Sequence, residues 1–160
     1  MHLMKAWICG AVGVSVVACK SEPPPPAELV SASALCADPK YDSHMDPKTA
    51  EEITMRVTVE GYLDIPRRMF TLCSQRRCSA DLLTSPGAHD KPLSISLAIG
   101  DDPAQMNAYP DHYTERDLVV HATGGRVIGV GAKVRVTGRR LGDVKSDSCQ
   151  LVDVDRIDAL

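Results

Sequence analysis

Aromatic side chains are scarce in this chain of 160 residues: they make up 4% of it, with a single tryptophan, Trp7, and a single phenylalanine, Phe70. A platform for single-stranded nucleic acid needs stacking aromatics in a basic groove, so the composition speaks against that function. Charge points the same way. The chain carries -3 at neutral pH, with a sequence pI near 5.9. Its arginine clusters, Arg67-Arg68, Arg76-Arg77 and Arg139-Arg140, are no longer than pairs, which reads as solvated faces rather than the basic footprint of a polyanion binder. A core must come from Val, Leu, Ile and Met.

Catalytic spacings are missing as well. His44, His89, His112 and His121 fall in no H-x-x-H or H-E-x-x-H pattern, and no G-x-S-x-G elbow occurs. His121 lies in an alternating segment and reads as a solvent-facing or hydrogen-bonded side chain. Asp101-Asp102 and Asp111-His112 have the chemistry of a hard-cation site, yet a capping role for Asp102 accounts for the first pair. The sequence therefore predicts no enzyme, no metal and no cofactor.

Long apolar runs are equally few. Ala6 to Ala18, after Lys5, is 13 residues long, whereas a membrane span needs roughly 20. That length suits the apolar region of an export signal. The run closes on Val16-Val17-Ala18-Cys19, which resembles the lipobox of bacterial lipoproteins, with Val16 where that family more often has Leu and Ala18 as the small residue before the cut. The resemblance implies removal of residues 1–18, a diacylglyceryl group on the Cys19 thiol and an acylated amino group. Several acyl chains then hold the protein on a membrane, since each buried methylene contributes about 0.8 kcal/mol. Lys20 rather than Asp after the cysteine favours the outer membrane. The competing interpretation is an ordinary secretory leader in which Cys19 is incidental.

With Cys9 lost and Cys19 lipidated, Cys36, Cys73, Cys78 and Cys149 remain for an oxidising compartment, and two disulfides are expected. Four cysteines allow three connectivities. A four-residue hairpin loop, Ser74-Gln75-Arg76-Arg77, would set Cys73 opposite Cys78, and Cys36 would then pair with Cys149. A thiolate metal site lacks a second C-x2-C or H-x3-H partner.

Four consecutive prolines, Pro23 to Pro26, favour extended polyproline II and form a semi-rigid spacer. Residues 19–52 are thus read as anchor, spacer and polar N-terminal arm, with at most a short helix around Glu28 to Leu35. Residues 53–160 form the folded domain. Period-2 alternation predicts strands at Ile53 to Leu63, Met69 to Ser74, Leu93 to Ile99, Asp117 to Ala122, Lys133 to Gly138 and Cys149 to Ile157. A helix is expected over Asp102 to Tyr113, with Pro103 in its first turn and Pro110 limiting it.

Val57, Val59, Gly61 and Tyr62 in the bent first strand, then Gly131, Val134, Val136 and Gly138, then Leu151, Val154 and Ile157, are together similar to bacterial OB-fold modules of the anticodon-binding-like kind, which also occur in exported envelope proteins. The expected fold is all-β: a small OB-like barrel of five to six strands with one short helix. OB-folds commonly bind ligands across strands 2 and 3, so the resemblance points to Phe70, Leu72, Arg76, Arg77 and Ile95. Tyr109 and Tyr113 add a contact patch or a lid. The expected function is a lipid-anchored, non-catalytic envelope module that binds a protein partner or a glycan. A structural envelope component, an OB domain for nucleic acid or oligosaccharide, and a small envelope enzyme are the alternatives.

Overall fold

In the expected first strand, Val57, Val59 and Leu63 alternate with polar residues, and the backbone there is extended from Arg56 to Asp64 with the aliphatic set buried. The computed structural model describes residues 22–42, 44–45, 52–53, 55–65, 73–74, 76–88, 92–108, 113–141 and 149–160. In chain order these form β1 (Glu28–Val30), α1 (Ala32–Ala37), β2 (His44–Met45), β3 (Glu52–Ile53), β4 (Arg56–Asp64), β5 (Cys73–Ser74) and β6 (Arg77–Leu83). Then follow β7 (Leu93–Ile99), β8 (Gln105–Met106), β9 (Val119–His121), β10 (Val127–Gly129), β11 (Lys133–Leu141) and β12 (Gln150–Ala159).

Five of these strands close on themselves. β4 runs antiparallel to β11 along one edge and to β6 along the other; β6 pairs with β7, β7 runs parallel to β12, and β12 returns to β11. The result is a small OB-like β-barrel. Val57, Val59, Leu63, Leu82, Ile95, Leu97, Val134, Val136, Leu151 and Ile157 fill its interior, as the alternation of a strand requires. Beyond the barrel, β8 pairs with β7, β9 with β8 and β10 with β9, forming a wing whose Met106, Val120 and Ile128 join the same core.

The arm is integral to this arrangement. β1 pairs parallel with the first half of β4, Ser31 caps α1 by accepting from the Ala34 N–H, and Leu35 and Tyr41 enter the core at 0% and 2% exposure. Cys36 is bonded to Cys149 and Cys73 to Cys78, the preferred pairing. The first bond ties α1 to the residue that precedes β12, and the second ties β5 to β6.

Several expectations change. The only α-helix among the described residues is α1, in the arm, and the expected helix over Asp102 to Tyr113 is not formed from Asp102 to Ala108: Ala104 adopts a positive φ of 63°, and Met106 is pulled into the ladder beside β7, while residues 109–112 lie outside the described residues. Tertiary pairing overrides the capping signal there. Of the expected strand Met69 to Ser74, only Cys73 and Ser74 are described; the second barrel wall is β6, which the alternation missed because Cys78 and Ala80 are small inward residues. In the Cys73–Cys78 hairpin, Ser74 already pairs with Arg77, so both ends of the expected four-residue loop belong to the ladder.

Between Thr137 and Arg139 the β11–β12 register shifts, leaving Asp153 to Asp155 opposite Gly138. Asp153 has a positive φ of 46° in this bulge. Gly138 is required by close approach: a Cβ there would stand 2.7 Å from the Val152 carbonyl oxygen.

Candidate binding face

The outer face of the barrel follows from the inner one. Because Cys78, Ala80 and Leu82 point inward on β6, and Leu93, Ile95 and Leu97 on β7, the alternate residues Arg77, Ser79, Asp81, Ser94, Ser96 and Ala98 face out. Their registers, Arg77 against Ala98, Ser79 against Ser96 and Asp81 against Ser94, make a surface of small polar side chains with an arginine at one end.

Arg77 lies across this surface. Its Nη2 is 3.0 Å from Asp153 Oδ1 and its Nη1 donates to Ser96 Oγ at 3.5 Å. The second oxygen of Asp153 accepts from Arg139 Nη2. One carboxylate, projected by the β12 bulge, therefore holds two guanidinium groups from β6 and β11, all three side chains being between 42% and 48% exposed. Such exposed pairs contribute about 0–1 kcal/mol to stability. Two arginines against one aspartate leave the trio with a net positive charge, and guanidinium groups have the chemistry to receive carboxylate or phosphate oxygens. Arg76 is exposed at the tip of the β5–β6 hairpin.

The residues singled out in the sequence have different fates. Arg77 lies at one end of the face, and Arg76 precedes it at the hairpin tip. Ile95 is fully buried in the barrel, because its place in the β7 alternation points it inward, so it offers nothing to a ligand on the outside. Tyr113 is half-buried and packs against the core, as a lid residue does. Phe70, Leu72 and Tyr109 lie outside the described residues, as do Cys19, His89 and His112. His121 is half-buried with Nε2 2.6 Å from Asn107 Oδ1. Asp102 opens a turn, its N–H donating to Gln105 Oε1 at 3.3 Å.

Sequence reasoning missed Arg139 and Asp153. Their meeting depends on the bulge opposite Gly138, and a lone glycine in an alternating strand signals a bulge without saying which side chain it re-aims. Arg140 was misjudged as part of a solvated pair. It follows Val134, Val136 and Gly138 on the inward side of β11 and is fully buried, with Nη1 donating to Asp42 and with Nε and Nη2 unpartnered.

Shifted ionisations mark local order elsewhere, Asp117 and Arg56 among them. The Thr114 backbone N–H and hydroxyl both donate to Asp117 and hold its carboxyl below the usual aspartate range. Arg56 is raised further by its hydrogen bonds to Asp155. Among the described residues no group of three or more His, Cys, Asp or Glu side chains could hold a metal ion, and no helix is long and apolar enough to cross a membrane. Comparison of the chain with protein families, curated proteins and solved structures finds no match.

Proposed function

We propose that the chain is a lipid-anchored, non-catalytic binding module of the cell envelope, tethered through Cys19, on the outer membrane, and working through the outer face of β6, β7 and β12. Its ligand is an envelope protein or glycan that presents carboxylate or phosphate oxygens. The observation that carries this reading is the Arg77–Asp153–Arg139 bridge. It places two half-exposed arginines around one carboxylate on a surface where such pairs contribute little to stability. The lipobox-like Val16 to Cys19 supplies the address.

The test is capture from detergent-solubilised envelope with the parent protein, an Arg77→Glu/Arg139→Glu variant and Cys19→Ser. A co-purifying species should be retained by the parent and by solubilised Cys19→Ser and lost from the charge-reversed variant. Labelled palmitate should enter the parent and not Cys19→Ser. Equal capture by all three proteins would exclude this face, and absence of palmitate from the parent would exclude the anchor.

A further inference from the structure

Arg140 is fully buried on the inward side of β11, opposite Leu151 of β12. Leu151 lies in turn beside Ile95 of β7, and both are 0% exposed, so the arginine rises from an aliphatic wall and meets the arm at Asp42. Nη1 makes that contact. Nε and Nη2, both buried, have no hydrogen-bond partner among the described residues. These two nitrogens lie along one edge of the guanidinium plane and present parallel N–H groups, the arrangement that matches the two oxygens of a carboxylate. Arg56 shows the same edge in use: its Nε and Nη2 donate to the two oxygens of Asp155 at 2.6 and 2.8 Å. A buried charged donor without an acceptor is costly, and Arg140 carries two.

We propose that the Nε–Nη2 edge of Arg140 is a binding site for a small monocarboxylate, with Asp42 as its built-in competitor. Asp42 identifies the chemistry, since a carboxylate already approaches this guanidinium through a single nitrogen. It also supplies the way in. Its side chain is 26% exposed while that of Arg140 is 0% exposed, so the ion pair sits where the covered interior meets solvent. A buried cation balances one anion far better than two. An incoming carboxylate that takes the two-nitrogen edge therefore lets Asp42 turn out to water, and a bidentate bond replaces a single one. The ligand has to be small, because Leu151 opposite Arg140 and Tyr41 beside Asp42 are both buried in the closed core. Arg139 points to the other side of β11, so this site is separate from the outer face.

The experiment is thermal melting of the full chain, both disulfides formed, in sodium formate and in sodium chloride at equal ionic strength. Formate at about ten times its dissociation constant should raise the parent melting temperature by about 3–6 °C over chloride. Asp42→Asn, which lacks the competing carboxylate, should respond at a several-fold lower formate concentration. Arg140→Met should melt alike in the two salts, and Arg77→Glu/Arg139→Glu should respond as the parent does. NMR of the Arg140 Nε–H reads the same event without a variant: formate should shift it in the parent, and chloride should not. A parent that melts alike in both salts, a response that survives in Arg140→Met, or one lost from Arg77→Glu/Arg139→Glu would overturn the site. A response in Asp42→Asn alone would overturn it too, because formate would then be refilling the place of the lost carboxylate and not the open edge.

Discussion

Asp42 of the arm accepts from the buried guanidinium of Arg140, so an ion pair joins the arm to the inside of the barrel. Arg140 is completely buried, Asp42 remains 26% exposed, and two guanidinium nitrogens have no partner. Removing one member of such a pair costs more than replacing the charge by an apolar side chain. Asp42→Asn should destabilise by about 1–3 kcal/mol, while Arg140→Met should be neutral or stabilising. Urea unfolding of the two variants decides it, and a larger loss for Arg140→Met would show that the pair stabilises outright.

The two disulfides should differ in weight. Cys36 and Cys149 are 113 residues apart, Cys73 and Cys78 only 5. In the chain-entropy account the long loop contributes about 4–5 kcal/mol and the short one about 2. Cys36→Ser/Cys149→Ser should therefore lower the melting temperature more than Cys73→Ser/Cys78→Ser, and more than loop length alone implies if Leu35 and Tyr41 leave the core with the arm. An equal drop would mean that the arm stays docked without its bond.

Much of the barrel was legible because its walls alternate cleanly: Leu93 to Ile99 is read as a strand from sequence and is β7 residue for residue. β6 was not, since Cys78 and Ala80 are inward residues too small to register as an apolar period. The wing was not, because β8, β9 and β10 are two or three residues long and owe their extension to neighbours rather than to propensity. Half of the candidate face, Arg76 and Arg77, is named by the OB-fold resemblance. The rest, Arg139 and Asp153, is brought in by a bulge, and Arg140 shows that a charged pair can straddle two faces of one strand.

The register of β11 has a direct check. Val136 is fully buried and pairs with Val59, whereas Arg135 is exposed and 2.6 Å from Glu60. Val136→Asp buries an unpaired carboxylate and should cost several kcal/mol, out of a total of about 5–15. Arg135→Asp places two carboxylates side by side at the surface and should cost about 0.5–1 kcal/mol. Equal losses in thermal melts would mean that the valines do not face inward.

Asp117 carries a pH signature. Its folded carboxyl is depressed by the Thr114 N–H and hydroxyl, at 2.7 and 2.9 Å. A depressed carboxyl stabilises the turn above the unfolded aspartate range, and that contribution is lost as the pH falls through the lower folded value. NMR titration should place Asp117 below an ordinary aspartate, and Thr114→Val should move it up. A parent carboxyl that titrates with exposed aspartates would mean that the cap is not formed.

Gly138 ties the fold to the candidate face. An added Cβ would meet the Val152 carbonyl oxygen at 2.7 Å and the Val154 Cα at 3.3 Å, both backbone atoms that cannot rotate away. Gly138→Ala must therefore push out the bulge that projects Asp153 between Arg77 and Arg139. A loss of about 1–3 kcal/mol is expected, the usual range for overfilling a close contact. Gly131→Ala is the control, because it meets no atom within 4 Å and its cost comes only from a positive φ of 84°. The two should separate in the side-chain NMR of Arg77 and Arg139: Gly138→Ala shifts both guanidinium resonances, Gly131→Ala shifts neither. Unmoved resonances in Gly138→Ala would detach the bulge from the face.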